Sequence, residues 1–377
     1  MHYSRPISFL LTGVLLFQLT SIHIQIPVFE YSFGVTSEFV KQQKTPSFSF
    51  VPVAVQSVSE QQPYDSVLFV GDVLLARNTE HLMRIHGNDY PYRSLSFSEV
   101  ANRPAVVGNF EASMPKIHKQ TPTHMLTFSV ASTFIPPLAL AGFTHMSLAN
   151  NHTFDYSQSG YNNTQTTLDQ NGIVSFGHPN MLNKSSIEYV EIDKKVVAII
   201  AVHTLQRLPT YSELKEVFSY ATARSDLQVA YVHWGTEYAA SHNTRQREAA
   251  ERFVDAGADL VIGHHPHVVQ DIELVHGVPV FYSLGNYIFD QYDSVATQEG
   301  LMLHLEFSQE QPRVSLLPVT SVGTLSQPRY MQTQNHATFL ADLADRSDPK
   351  LTDFIKNGQI IIGDEVASSS KVAIMSL

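Results

Sequence analysis

The chain of 377 residues contains no cysteine. This absence excludes disulfide bonds, thiolate metal sites and cysteine nucleophiles. Charged residues make up only 16% of the chain, and the net charge is −11 at pH 7. Because phosphate backbones bind basic surfaces, we expect no nucleic-acid partner. Any reactive site must be built from His, Asp, Glu and Asn, which suit hard or borderline divalent metals such as Mn, Fe or Zn.

The N-terminal segment has the form of an export signal. Arg5 precedes an apolar run from about Ile7 to Phe17. A positive charge before such a run favours a cytoplasmic N-terminus and an exported remainder. No small-x-small cleavage site follows, which favours an uncleaved anchor over a cleaved signal. The alternative is a buried helix of a cytoplasmic protein. We predict a signal or anchor over 1–30 and a polar linker over 31–64, with the following domain outside the cytoplasm at the cell membrane, or secreted if the signal is cleaved.

Strand and helix patterns alternate after the linker. They predict an α/β domain over 65–325, followed by a C-terminal helical extension over 326–377. One predicted helix ends at a glycine cap, Gly172, and an amphipathic helix covers 244–257. A hairpin is predicted to turn near Asp193. The 43% hydrophobic content provides enough apolar side chains for a large core.

Polar residues directly follow several of the predicted strands. In open α/β sheets, ligand sites form at the carboxyl ends of strands, so these residues should converge. Carboxylates, amides and imidazoles together can hold one or two divalent ions. The residues at these strand ends are Asp72, Glu111, Asn151 with His152, His233, and the cluster His264, His265 and His267.

Each of these residues also has a structural interpretation. Asp72 beside Gly71 fits a turn, and a strand-end glutamate is often simply solvated. Asn150 and Asn151 fit left-handed turn positions, and we expect one of them to have that role. The histidines could be core groups bonded to backbone atoms. Their recurrence at successive strand ends favours the functional interpretation.

Six segments, taken together and in this order, resemble the motifs of the CapA family of capsule and poly-γ-glutamate biosynthesis proteins. Members of this family share a calcineurin-like metallophosphatase fold. The segments are GDVLLAR (71–77), GNFEASM (108–114), LANNHTFDY (148–156), VHWGTEY (232–238), GADLVIGHHPHVVQ (257–270) and YSLGNYIFDQ (282–291).

The resemblance implies a role for each matching residue. His152 is the expected general acid, oriented by Asp155, and His264 could replace His265 as a ligand. The chain departs from ordinary metallophosphatases at Leu74, where a histidine is expected, and at Glu111, which replaces an aspartate. The implied metal ligands are Asp72, Glu111, Asn151, His233, His265 and His267.

The implied fold is a four-layer sandwich of two mixed β-sheets flanked by helices. The implied chemistry is hydrolysis of a phosphoester by a metal-activated hydroxide, with one or two Mn, Fe or Zn ions. The expected partners are an anionic capsular polymer or a phosphoester substrate, the membrane, and other polymer synthase subunits. The alternatives are a non-catalytic, metal-containing accessory subunit and a metal-dependent hydrolase that trims the polymer.

Three further residues are weaker candidates. Arg77 could contact an anionic substrate or pair with Glu80 on a helix face. Asn286 and Gln270 are candidates for orienting the ligands through hydrogen bonds.

Overall fold

The computed structural model describes residues 63–94, 96–308 and 311–363. The predicted signal or anchor and nearly all of the predicted linker lie outside these residues, as do residues 364–377. Among the helices that the structure describes, none combines the length and apolar character needed to cross a membrane.

The described residues form fifteen strands and seven α-helices. The helices are α1 (Arg77–His86), α2 (Ile135–Leu140), α3 (Ser157–Gln170), α4 (Tyr211–Thr222), α5 (Thr244–Ala256), α6 (Thr333–Asp345) and α7 (Thr352–Lys356). The strands are β1 (Ser66–Val73), β2 (Pro104–Phe110), β3 (His145–Ser147), β4 (Val174–Phe176), β5 (Ile187–Ile192), β6 (Lys195–His203), β7 (Leu227–His233), β8 (Leu260–His264), β9 (Ile272–Val275), β10 (Val278–Phe281), β11 (Asn286–Ile288), β12 (Glu299–Ser308), β13 (Gln311–Thr320), β14 (Arg329–Tyr330) and β15 (Gln359–Ile361).

The strands form two mixed sheets. The first has the order β14-β13-β12-β1-β2-β3-β4, with β11 paired to β1 and β15 paired to β13. The second has the order β5-β6-β7-β8-β10-β9. In each sheet one run of neighbouring strands is parallel, namely β1 to β4 in the first and β6, β7, β8 and β10 in the second. The predicted α/β architecture of two mixed sheets flanked by helices is therefore confirmed.

Three separate apolar clusters hold the sheets and helices together. Phe69 of β1 and Tyr231 of β7 belong to the cluster shared by the two sheets. The neighbouring Leu68 faces a second cluster with Met83 of α1, and Phe218 of α4 belongs to a third cluster with residues of the second sheet. Successive residues of a strand point to opposite faces, so β1 contributes to two clusters. Burying each large apolar side chain contributes about 1.5–3 kcal/mol.

Local signals in the sequence explain several of the boundaries. Helix α5 begins at a capping box in which Asn243 accepts from Gln246 N–H, and it ends at Gly257, which has φ of 120°. The predicted hairpin joins β5 to β6 through Asp193 and Lys194, whose φ angles are 47° and 67°. Two consecutive positive φ angles are typical of a type I′ hairpin turn.

Candidate metal centre

The predicted site residues come from both sheets. Asp72 lies in β1, and Glu111 directly follows the parallel neighbour β2. In the second sheet, His233 and His264 end the parallel strands β7 and β8 and lie in register. His264 Nδ1 lies 3.3 Å from Asp72 Oδ1, so the two sets of strand ends meet. The face-to-face packing of the sheets places the carboxylates and the imidazoles in one buried centre.

Two groups of donor atoms have the spacing of metal ligands. One consists of Asp72, Glu111 and His233, and the other of Glu111, His265 and His267. Within each group the donor atoms lie within 4.8 Å of one another, and all five residues are buried. Because Glu111 belongs to both groups, it is placed to bridge two ions. Carboxylate oxygens and imidazole nitrogens fit Mn, Fe or Zn.

Asp72 is held in its ionised form. Asn109 Nδ2 donates to its Oδ1 at 2.8 Å, and the backbone N–H of His265 donates to its Oδ2 at 3.2 Å. Burial alone would raise the pKa of Asp72, but hydrogen bonds and charges from His264 and His267 outweigh it. They hold the pKa of Asp72 well below its ordinary value. Asp72 is therefore ready to bind a cation without first losing a proton.

Glu111 is a buried carboxylate that is only partly paired. Burial raises its pKa well above the ordinary value, and the charges of Asp72 and Glu237 add to this effect. Its Oε1 is buried and has no hydrogen-bond partner among the described residues. The Nε2 atoms of His267 and His152 lie 3.7 Å and 3.8 Å from that oxygen. A buried carboxylate oxygen without a partner is costly, and a divalent cation would remove the cost.

The imidazoles differ in protonation. Burial and the neighbouring His265 lower the pKa of His233 well below its ordinary value. Burial and His267 lower the pKa of His265 to about 3. Burial also acts to lower the pKa of His267, but the carboxylates of Glu111 and Asp72 raise it to about 9. His233 and His265 are therefore neutral, as metal ligands must be, and the proton on His267 lies where a cation would replace it.

The two adjacent asparagines have different positions. Asn150 is fully buried, and its Oδ1 accepts from the backbone N–H groups of His152 and Thr153, each at 3.0 Å. This is an Asx-type turn and leaves that oxygen occupied. Asn151 Oδ1 instead lies 2.8 Å from His233 Nε2. Asn151 therefore lies beside the donor groups, and Asn150 forms the turn.

His152 is oriented by a carboxylate. Its Nδ1 lies 2.9 Å from Asp155 Oδ2, which also accepts from the backbone N–H of Phe128 at 2.6 Å. The Phe128 ring stacks on the imidazole with ring centroids 3.9 Å apart. The remaining nitrogen, Nε2, lies on the side of Glu111. Asp155 therefore holds Nδ1 of His152 in place, and Nε2 faces the centre.

The backbone conformation distinguishes the histidines of the cluster that belong to the donor groups from the one that does not. His265 and His267 have φ angles of 96° and 59°, and both belong to a donor group. Non-glycine residues rarely adopt such angles, and they concentrate at functional sites. His264 lies in β8 with its ring 4.2 Å from that of Tyr231, beneath Asp72. His264 therefore supports Asp72, and the donor groups contain His265 rather than His264.

Asn109 was missed in the sequence, although it lies at the middle of the centre. Its Nδ2 lies 3.2 Å from His233 Nδ1 and donates to Asp72, while its Oδ1 accepts from Asn150 at 3.0 Å. An amide in the otherwise apolar strand PAVVGNF was the available signal. Among the weaker candidates, Asn286 contacts a residue of the donor groups, since its Oδ1 lies 3.0 Å from His267 Nδ1.

Two other weak candidates have structural contacts. Arg77 does not pair with Glu80; it forms a buried ion pair with Asp290, and Arg84 pairs with Glu80 instead. The positive φ of Arg77, 52°, turns its side chain toward Asp290. Gln270 accepts from Gln246 and donates to the carbonyl groups of the loop after β7, so it ties that loop to the sheet.

A second missed residue is His203, at the end of β6. It lies in register with His233 on β7, and the two ring centroids are 5.7 Å apart. Burial lowers its pKa. The sequence pattern assigned β6 to the predicted hairpin, so His203 was not grouped with the histidines that end the other strands.

Comparison with known proteins identifies relatives of the chain. The "Capsule biosynthesis protein CapA" of Bacillus anthracis is 30% identical over 247 residues, which cover 60% of this chain and 60% of that protein. The "PGA biosynthesis protein CapA" of Bacillus subtilis is 33% identical over 250 residues, covering 60% of this chain and 63% of that protein. The matches thus span less than two thirds of either relative.

Among solved structures, a putative 5′-nucleotidase from Staphylococcus aureus is similar at a TM-score of 0.42 and 11% identity, over 70% of this chain and 54% of that one. A similarity this weak carries no statement about function. The model of the family "Bacterial capsule synthesis protein PGA_cap" matches residues 66–291, which contain every residue of the donor groups. The chain therefore belongs to the bacterial capsule synthesis protein family PGA_cap, within the metallophosphatase-like superfamily.

Proposed function

We propose that this chain acts in the biosynthesis of a capsule of poly-γ-glutamate or a similar anionic polymer, through a metal-dependent phosphoesterase-type site. The domain would be a metallophosphatase-like four-layer sandwich, tethered outside the cytoplasm by the N-terminal segment. Membership of the PGA_cap family and the names of the two Bacillus relatives support the biological role. The geometry of the buried centre supports the chemistry.

One observation carries the metal-dependent part of the proposal. The buried Glu111 is shared by two donor groups and retains an oxygen without a partner among the described residues. Leaving a buried carboxylate oxygen unpaired destabilises the fold, and Glu111, unlike Glu80 with its ion pair to Arg84, lies among further donor atoms that could share a cation. The residues that would hold the ions are Asp72, Glu111, Asn151, His233, His265 and His267.

The bound ions would supply Lewis acidity and a water of lowered pKa. The chain itself provides the proton for the leaving oxygen. Asp155 holds Nδ1 of His152, so that Nε2 faces the centre and can donate to the oxygen that leaves. Stacking against Phe128 limits rotation of the ring and keeps that nitrogen in place.

The test combines metal content with turnover. The full-length chain is analysed for bound metal and assayed for phosphomonoester and phosphodiester hydrolysis with added Mn²⁺. We expect close to two ions per chain and a loss of turnover of about 10²–10⁴-fold in His152→Ala, with the metal retained. His242→Ala is the matched control, since His242 also pairs with an aspartate, Asp271, but lies outside the donor groups. Full turnover in His152→Ala would refute the general-acid role.

The second candidate is a non-catalytic accessory subunit that uses one ion to bind the carboxylate-rich polymer. The observation that favours it is Leu74, which occupies the position of an expected histidine and packs in the apolar cluster of α1. The same experiment separates the two candidates. An accessory subunit would contain one ion, show no turnover, and be unaffected by His152→Ala in polymer binding.

A further inference from the structure

His203 belongs to a row of imidazoles across the second sheet. The parallel strands β6, β7 and β8 align His203 with His233 and His233 with His264. Residues in register on parallel neighbours point to the same face of a sheet. That face carries Ala201 and Tyr231 into the cluster between the sheets, where the donor groups also lie. The side chain of His203 therefore enters the same interior as His233.

The hydrogen bonding of His203 defines which nitrogen is available. Its Nδ1 lies 2.7 Å from the carbonyl oxygen of Pro179. A carbonyl oxygen only accepts, so Nδ1 carries the proton and Nε2 carries the lone pair in the neutral ring. Nε2 is buried and has no partner among the described residues. Nδ1 and Nε2 lie on different edges of the ring, so Nε2 is directed away from Pro179.

This arrangement is that of a metal-ligating histidine, whose second nitrogen usually donates to a carbonyl or carboxylate. The distances between the imidazole rings agree with such a role. Two imidazoles on one ion, with metal–nitrogen bonds of about 2.0–2.1 Å, have ring centres roughly 4.5–6 Å apart. The rings of His203 and His233 are 5.7 Å apart, and those of His233 and His265 are 4.8 Å apart.

Unpaired buried atoms also gather in this region. Among the described residues, Glu111 Oε1, His265 Nδ1, His203 Nε2 and both ring nitrogens of His264 lack partners, although native proteins pair nearly all such groups. An ion beside His233 would give the Nε2 of His203 a partner.

We propose that His203 supplies a further nitrogen donor to a divalent ion held beside His233. This inference rests on the metal centre of the proposed function. It would give the group of Asp72, Glu111 and His233 a second imidazole nitrogen, the same number as in the group of Glu111, His265 and His267. An added imidazole favours ions such as Zn²⁺ or Fe²⁺ over Mg²⁺ and Ca²⁺, which prefer oxygen ligands.

The test measures Mn²⁺ binding to the full-length chain. Titration calorimetry gives the dissociation constant, and electron spin echo spectroscopy of bound Mn²⁺ counts the coordinated imidazole nitrogens. In His203→Ala we expect the dissociation constant to rise about 10–100-fold and one nitrogen coupling to disappear. His203→Gln, which retains a donor for the Pro179 carbonyl, serves if the alanine variant does not fold.

His304→Ala is the matched control, because His304 of β12 is also buried with an Nε2 that has no partner among the described residues, but it is in register with Leu68 of β1 and not with His233. It should bind Mn²⁺ as the unchanged chain does. If His203→Ala keeps both the dissociation constant and the nitrogen count while His233→Ala loses binding, this inference is wrong and the metal centre stands. If the unchanged chain binds no Mn²⁺, the metal centre and this inference both fail.

Discussion

Two histidine–carboxylate clusters lie near the second sheet, and they are satisfied to different degrees. One lies beside β9 and consists of His242, Arg247, Asp271, Glu273 and Tyr282; it is called the β9 cluster below. There, Asp271 accepts from the backbone N–H and from Nδ1 of His242 at 2.9 Å and 2.7 Å. Glu273 accepts from Tyr282 at 2.8 Å and from Arg247 at 3.0 Å. Both carboxylates of this cluster are therefore fully occupied by protein donors.

The candidate metal centre also contains histidines and carboxylates, but one of its carboxylates is not fully paired. Glu111 Oε1 and His265 Nδ1 are buried without partners among the described residues. The β9 cluster uses its hydrogen bonds to hold a loop against a strand, which is a contribution to stability. The candidate metal centre leaves buried donor atoms without partners among the described residues, which costs stability and is retained where a ligand compensates. We therefore predict that the β9 cluster is structural and that the candidate metal centre binds a ligand.

The largest expected effect comes from removing the shared ligand. Glu111→Gln should abolish the stabilisation by Mn²⁺, which for an intact site is about 2.7 kcal/mol at a concentration a hundred times the dissociation constant. Thermal unfolding with and without Mn²⁺ measures this difference. Glu273→Gln, the matched change in the β9 cluster, should leave the Mn²⁺ response intact. An unchanged response in Glu111→Gln would exclude Glu111 as a ligand.

In the β9 cluster we expect a substitution to change the stability of the metal-free chain and to leave Mn²⁺ binding unchanged. Asp271→Ala removes the acceptor of two donors of His242 and should lower the free energy of unfolding by about 1–3 kcal/mol. Urea unfolding of the metal-free chain measures the loss, and Mn²⁺ binding should not change. If Asp271→Ala instead weakened Mn²⁺ binding, the two clusters would be coupled and the comparison would not hold.

A smaller effect is expected at a third pair, which joins the sheets away from both clusters. Glu188 of β5 lies 3.8 Å from His145 of β3. Burial raises the pKa of Glu188 to about 7 and lowers the pKa of His145 to about 4. Protonated Glu188 favours the folded state below its ordinary pKa of 4.5, and this advantage is lost as the pH rises through 7.

Glu188→Gln should therefore reduce the fall in unfolding free energy between pH 5 and pH 8. Because Glu188 is partly exposed, solvent screening limits the expected difference to about 1–2 kcal/mol. Urea unfolding of both chains at the two pH values provides the measurement. Identical pH dependence in the variant would show that Glu188 ionises in the folded chain as it does in water.

The elements that could be predicted from sequence depend on local patterns. The hairpin at Asp193 and Lys194 and the helix ending at Gly257 are confirmed, because turn and cap chemistry is decided by adjacent residues. Strand-end positions of Asp72 and His233 follow equally from apolar runs that end in a polar residue. The ligand and catalytic roles assigned to these positions stay predictions, as do the domain boundaries.

Contacts between distant segments could not be predicted in this way. Arg77 is separated by 213 residues from Asp290, its partner, and the nearby Glu80 offered a local alternative that the fold does not use. In the sequence, Asn109 is a single polar residue in an otherwise apolar strand. Its role depends on its contacts with Asp72 of β1 and His233 of β7. Helix spacing identifies neighbours along one element only, whereas these pairs require the packing of two sheets.

By itself, the sequence determined which residues stand at strand ends and that they are carboxylates, amides and imidazoles, because periodicity and residue type are local properties. Only the tertiary structure decided which of them share a centre, which asparagine forms the turn, and that His265 and His267 rather than His264 enter the donor groups. The physical reason is the register in which neighbouring strands pair. Strand pairing aligns His203, His233 and His264, and the packing of one sheet on the other places that row opposite Asp72 and Glu111.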